Sequence, residues 1–273
     1  MDLKWIAQQV AYDAYLRVRD IPPDSLLKKN ARFRNLHRDQ RCFLLGSGPS
    51  IREQDLTRLN GQIVMTQNHF HAHDHIRTIA PTYHVVVPKY QPAEFDDDWV
   101  AWLRSMEERL PGDTTLFFGK NTMYLVDRLG LFVNRAYYMK TGLSAVVAKR
   151  APVDITRTIL GVPTVLTQCL AIAIYMGFRE IVLLGFDLDQ VCRMQDRTKL
   201  RFYGMSPVTD NKAEEDVEKS SGASGGDWIQ MWSTWQQCNL LKVEAERKGT
   251  RIINATRGGL LSMFERKRYE DIL

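Results

Sequence analysis

Seven short apolar runs recur along the chain, at residues 42–45, 63–65, 83–87, 115–118, 136–139, 181–184 and 252–253. Each is near-continuously apolar, and polar, helix-compatible sequence separates one from the next. A half-buried strand alternates apolar and polar residues, whereas a parallel strand covered on both faces reads as a continuous apolar run. Strand–helix alternation of this kind predicts an α/β fold with a doubly wound, mostly parallel sheet. The 273 residues fit one large domain or two small ones. The stretch "IPPDS" at 21–25 breaks the chain after a first helix, and the expected division is an N-terminal helical segment, 1–38, and an α/β domain over 39–273.

The clearest unit is "VPTVLTQCLAIAIYMGFREIVLLGFDLD", 162–189. Its first half is apolar nearly all round, which predicts a buried helix. Gly177 suits the left-handed residue that closes it, and a central strand follows, ending at Gly185 and Asp187. Ligands in open α/β sheets sit beyond the carboxyl ends of the strands. Asp187 and Asp189 therefore lie where chemistry is expected. Residues 206–227 are polar, acidic and rich in Ser and Gly. They hold too little apolar surface to order themselves and are read as a disordered insertion or as a mobile lid, spanning about 190–227.

Charge and composition narrow the partners. A net charge of +5, spread evenly, does not argue for nucleic acid and suits a small anionic ligand or an anionic surface. Cys42, Cys169, Cys192 and Cys238 lack paired ligand spacing and read as reduced thiols of a cytoplasmic protein. No apolar run approaches a membrane span. In the first helix Leu3, Ile6, Val10 and Ala14 form a stripe expected to pack on the domain. The sharper alternative is a peripheral membrane or homo-oligomer contact, with Lys4, Arg17 and Arg19 facing phosphates.

Several residues are placed for chemistry. In "RCFLLGSGPSIREQDL" a strand ends in Gly46-Ser47-Gly48-Pro49-Ser50, where amides can approach a ligand unobstructed. Ser50 and Glu53 fit an N-cap and its box partner, so a helix start is expected there, able to hold a phosphate. Asn68, at the end of the second strand, can read a base or ribose as donor and acceptor, or can merely cap its loop. His69, His71, His73 and His75 have spacing that can hold zinc, although a polar turn is the favoured reading, with one imidazole as a candidate base. Thr164 and Thr167 open the buried helix, with capping by Thr164 the safer expectation. Arg193, Arg197, Lys199 and Arg201, together with Tyr203, adjoin the strand end, where a cation can neutralise a departing phosphate. A last helix is expected from Asp227, with Gln230 reaching back to it. Trp228, Trp232 and Trp235 share one face of that helix, read as core or as a sugar-stacking surface.

Taken in order, "LLGSGPS", Asn68 in "TQNHF", "PTYHVVVP", the 164–189 unit, "FYG" and "RIINATRGGLL" resemble the MptE-like family. That family includes the motility accessory factors of flagellin glycosylation and is similar to the bacterial sialyltransferases of glycosyltransferase family 42. The resemblance covers roughly residues 40–262. It implies a Rossmann-like domain with a mobile lid, holding a CMP-sugar without a metal. Residues Gly46 to Ser50 and Asn68 would line that pocket, Thr164 and Thr167 would flank it, and Asn254 and Thr256, at the last strand end, are further candidate binding residues. Some family members instead transfer diphosphate from ATP to a pterin alcohol with magnesium.

Three departures matter. Asp189 stands where the sialyltransferases carry a phosphate-binding tyrosine, no histidine follows His84 to serve in the lid, and Pro88-Lys89 replaces an acidic residue of many relatives. An aspartate at 189 repels phosphate unless a cation intervenes, so Asp187 or Asp189 becomes the candidate base or magnesium ligand. The resulting expectation is a glycosyltransferase moving a nonulosonic-acid-like sugar from a nucleotide donor to a surface glycan or protein acceptor. Arg201 and Tyr203 would assist the leaving group. The alternatives are a magnesium- and ATP-dependent diphosphotransferase and a non-catalytic nucleotide-binding protein.

Overall fold

A computed structural model describes residues 3–20, 24–145, 148, 150–161, 163–192, 201–203 and 225–273. Nine strands form one sheet in which every pairing is parallel. They are β1 (Arg41–Leu45), β2 (Val64–Gln67), β3 (Tyr83–Val85), β4 (Thr115–Gly119), β5 (Ala136–Leu143), β6 (Thr158–Leu160), β7 (Glu180–Leu184), β8 (Arg251–Asn254) and β9 (Glu265–Arg266). The spatial order is β6-β5-β4-β3-β2-β1-β7-β8-β9. The chain thus walks outward from β1 to β6, returns, and walks the other way from β7. Its direction reverses between β1 and β7, whose register runs from Arg41 opposite Glu180 to Leu45 opposite Leu184. This is the doubly wound, Rossmann-like α/β architecture.

Among the described residues seven α-helices accompany the strands: α1 (Leu3–Arg19), α2 (Ser25–Lys28), α3 (Ile76–Ile79), α4 (Asp96–Arg109), α5 (Met123–Leu129), α6 (Val165–Met176) and α7 (Gly225–Arg247). The sheet has a core on each face, which is why its strands read as continuous apolar runs. Cys42, Leu44, Ile181 and Leu183 face α6 and the buried side of α7. Phe43, Leu45, Val182 and Leu184 face the layer built by α3, α4 and α5. In α4, Trp99, Trp102, Leu103 and Met106 fall at helical spacing and are all buried. Asp96, Asp97 and Asp98 occupy its first turn, where the helix dipole favours them.

All twelve residues of α6 are buried. Thr164 caps it, accepting the Leu166 N–H at 3.1 Å. Gly177 ends it at φ 81°, a conformation costly to any residue with a Cβ.

Three local expectations are corrected. The α1 stripe is rotated: Leu3 and Val10 are exposed, and the buried positions are Asp13 and Leu16. Asp13 accepts the Ser144 N–H, and Asp20, just past the helix, binds the Lys140 ammonium and the Thr158 N–H, so polar contacts to β5 and β6 set the docking angle. Lys4 and Arg17 are exposed, and the Arg19 side chain lies outside the described ones. Ser50 is not an N-cap. Residues Pro49–Glu53 form one 3-10 turn behind Gly48 with no side-chain cap, and Glu53 pairs outward with Arg257 at 3.2 Å. Finally, α7 begins at Gly225, and Gln230 donates to the Pro163 carbonyl at 2.7 Å instead of reaching back to Asp227.

The segment before residue 39 makes buried contacts with the sheet. Leu27 and Phe33 are buried, and Asn30 donates to the carbonyls of Tyr138 and Ile155, both at 2.8 Å.

Candidate functional site at the carboxyl edge

The turn after β1 meets the turn after β7 at the point of reversal. Gly46 N–H donates to the Leu184 carbonyl at 2.7 Å and Gly48 N–H to the Gly185 carbonyl at 2.9 Å. A Cβ on Gly46 would collide with the Gly185 carbonyl, and one on Gly48 with the Asp187 carboxylate. The glycines of "GSGPS" therefore let two backbone turns and a carboxylate interlock. Their amides do not stand open for a phosphate, which corrects the expectation of a bare cradle. Asp187 is 4% exposed, accepts the Ser50 hydroxyl at 2.8 Å, and offers its carbonyl to Leu260 N–H at 2.7 Å. It braces the junction. Asp189, two residues on, is half-buried, and Leu188 between them holds φ 50°, a left-handed conformation of the kind that gathers at functional turns.

One strand over, Asn68 also has a left-handed backbone, φ 46°. Its Oδ1 accepts the Val87 N–H at 2.9 Å, tying the ends of β2 and β3 together, and its carbonyl lies 3.1 Å from His71 Nδ1. The oxygen caps, and no described residue accepts from Nδ2.

The histidine run folds as a 3-10 turn, Asn68–Ala72, followed by a bend. Its rings find aromatic and polar neighbours in place of a common centre. His69 stacks between Trp102 at 4.6 Å and Tyr203 at 4.7 Å. His73 lies flat on Phe70 at 5.2 Å. His71 Nε2 is 3.3 Å from the Ser105 hydroxyl. Burial pushes His69 down to about 3, helped by the charges of His71 and Arg201, and pushes His71 down to about 4. His84, fully buried, is held well below its ordinary value for the same reason, and its Nε2 has no partner. These imidazoles are neutral near pH 7 and too weakly basic to take a proton there. Among the described residues no three His, Cys, Asp or Glu side chains gather as metal ligands.

Residues 201–203 cross over this edge. Phe202 N–H donates to the Ser47 carbonyl at 3.1 Å, and Arg52 donates to the Phe202 carbonyl at 2.5 Å. The Phe202 ring meets Phe70 and His73 edge-on, at 5.3 and 5.4 Å. The Arg201 guanidinium lies 5.7 Å from the centre of the Tyr203 ring. Four segments distant in sequence thus converge: the turn after β1, Asn68 and His69 after β2, Trp102 from α4, and Arg201 to Tyr203. Arg193, Arg197, Lys199 and most of the expected lid lie outside the described residues.

Other expected site residues are engaged elsewhere. Thr164 and Thr167 bond to the first turn of α6 itself. Asn254 donates to the Leu261 carbonyl at 2.6 Å and accepts Thr256 N–H at 3.0 Å, while Thr256 Oγ1 accepts Phe186 N–H at 3.0 Å. Both are buried and staple the loops after β7 and β8, so the expectation that they line a ligand pocket is corrected. Lys89 is buried against Asp96 at 3.0 Å and donates to the carbonyls of Gln91 and Pro92. Trp228 and Trp232 are exposed while Trp235 packs on the core, so the core reading of the tryptophan stripe holds only for Trp235. Trp102 and Phe202 carry no signal in the sequence as site residues. An apolar helical position and a lone phenylalanine look like any core residue until the fold brings them to His69 and Ser47.

The fold is that of a doubly wound α/β protein whose strand order reverses between β1 and β7, the kind of point at which open α/β sheets hold ligands. No protein-family model matches the chain, and no curated protein does. Among solved structures it is similar to a prephenate dehydrogenase from A. aeolicus, solved with hydroxyphenyl propionate and NAD+. The identity is 11% and the TM-score 0.23, over 76% of this chain and 87% of that one. A likeness of that size says nothing of this chain's chemistry. No described helix is long and apolar enough to cross a membrane.

Proposed function

We propose that the chain is a transferase that takes a nucleotide-activated donor at the β1/β7 reversal, with a CMP-linked, nonulosonic-acid-like sugar foremost. The observation that carries the reading is the convergence of Asn68, whose Nδ2 has no acceptor among described residues, with Arg201 and Tyr203 above the same strand ends. The Asn68 amide donates to the nucleobase or ribose. The Arg201 guanidinium neutralises the phosphate as the bond from the anomeric carbon to oxygen breaks and its electron pair leaves with CMP. Asp189 takes the proton of the acceptor hydroxyl, whose oxygen forms the new bond to that carbon. Asp187, buried and bonded to Ser50, positions the loop that carries Asp189. Because Gly46 and Gly48 interlock with the turn after β7, this reading seats the nucleotide against the outer side of that junction, beside Asn68, and not inside the "GSGPS" loop.

Thermal stabilisation by nucleotides, combined with donor turnover, tests this. CMP or CDP should raise the melting temperature without metal. Asn68→Ala should lose that shift, and Asp189→Asn should keep it while abolishing sugar transfer. Stabilisation by ATP only when magnesium is present would move the assignment to diphosphate transfer. No response to any nucleotide would remove it altogether.

A further inference from the structure

At the opposite, amino edge of the sheet lies an open cleft of about 840 Å³. It is bounded by α1, residues 150–154, the end of α6 and the last turn of α7. Its acids are all engaged. Asp13 accepts the Ser144 N–H at 3.0 Å, Asp154 accepts from Arg34 at 3.1 Å, and Glu244 accepts two hydrogen bonds from Arg247, at 2.6 and 3.0 Å. Three more cations line the cleft: Arg17, Arg150 and Lys248. Among the described residues none of the three has a carboxylate within ion-pair distance. The Arg247 guanidinium, with lesser help from Lys248 and Arg150, holds Glu244 below the usual carboxylate range, and Arg150 and Lys248 line the same cleft. Between the charges the walls are apolar, with Val10, Ala14, Val153 and the ring of Tyr175. The five cations of the lining, Arg17, Arg34, Arg150, Arg247 and Lys248, outnumber its three carboxylates, an excess that attracts anions, and guanidinium groups match phosphate oxygens in geometry.

We propose that this cleft binds a small organic phosphate. Arg17, Arg150 and Lys248 hold the anion, and the apolar walls take the organic part. A free phosphorylated metabolite and a lipid phosphate headgroup share that chemistry. The site is independent of the carboxyl edge, so it stands or falls separately from the transferase reading.

Equilibrium dialysis with labelled glycerol 3-phosphate and sedimentation with phosphatidylcholine vesicles carrying phosphatidic acid separate the two sources. Saturable binding of glycerol 3-phosphate assigns the free ligand, and binding to the vesicles alone assigns the lipid. In either case the double variant R150Q/K248Q should bind about tenfold more weakly, and the control R58Q/R128Q, outside the cleft, should bind like the wild type. Arg17→Gln, on the exposed face of α1, gives the same answer if the double variant fails to fold. Asn68→Ala should leave this binding unchanged. Binding of neither probe, or an equal loss in the control pair, would overturn the proposal.

Discussion

Gly48 and Asp187 set the tightest contact of the site. A methyl group at position 48 meets the Asp187 carboxylate and lies 2.7 Å from the Gly185 carbonyl oxygen. Neither neighbour is the loose end of a flexible side chain, so one of the two turns must move. Gly48→Ala is expected to destabilise the protein by about 1–3 kcal/mol, the range for overpacking, read from urea unfolding. Gly112→Ala, where a Cβ meets nothing within 4 Å, should stay within about 0.5 kcal/mol of wild type. The buried histidines make a second prediction at this scale. In the folded state His69 and His71 are pushed to about 3 and about 4, and His84 well below its ordinary value. The unfolded chain binds protons at each near pH ~6.5. Stability is therefore complete above that pH and falls as pH drops through 6 and 5 toward the folded values. Three such groups should cost at least about 3 kcal/mol between pH ~6.5 and ~4.5, since each contributes up to about 1.4 kcal/mol per pH unit. A flat unfolding profile over that window would contradict the burial of these rings.

Among the elements, α6 shows how far local sequence reaches. Its apolar run, its Thr164 cap and its Gly177 stop are all legible, because a helix end is decided by a few adjacent residues. Thr164→Ala should cost about 1 kcal/mol by losing the bond to the Leu166 amide, and Thr164→Ser should recover most of it. Seven of the nine strands are legible too. The two that are not, β6 and β9, are edge strands of three and two residues. Both Glu265 and Arg266 are exposed, so no burial pattern marks them. The face of α1 was not legible for a different reason. Asp13 is buried because it finds the Ser144 amide just past β5, a partner no helical stripe can announce. The same limit governs the site. "GSGPS" and Asn68 are visible as strand ends, but the partners of Gly46 and Gly48 come from β7, and Trp102 reaches His69 from α4. Those pairings exist only once the sheet is assembled.

Across the described molecule, the order of nine parallel strands reverses between β1 and β7, and open sheets of this kind bind ligands outside the carboxyl edge at such a point. Residues 201–203 arrive there from beyond β7 and close over the turn of β1 through Ser47 and over that of β2 through His69. A ligand held at this edge touches both halves of the fold, whereas one in the cleft at the amino edge touches α1 and the end of α7. The most direct test is an amide-resolved NMR titration of the isotope-labelled protein with CMP. The account predicts saturable shifts clustered at Ser47, Asn68, Val87 and Tyr203. An unperturbed spectrum at saturating CMP, or shifts confined to residues around Arg150 and Lys248, would contradict it.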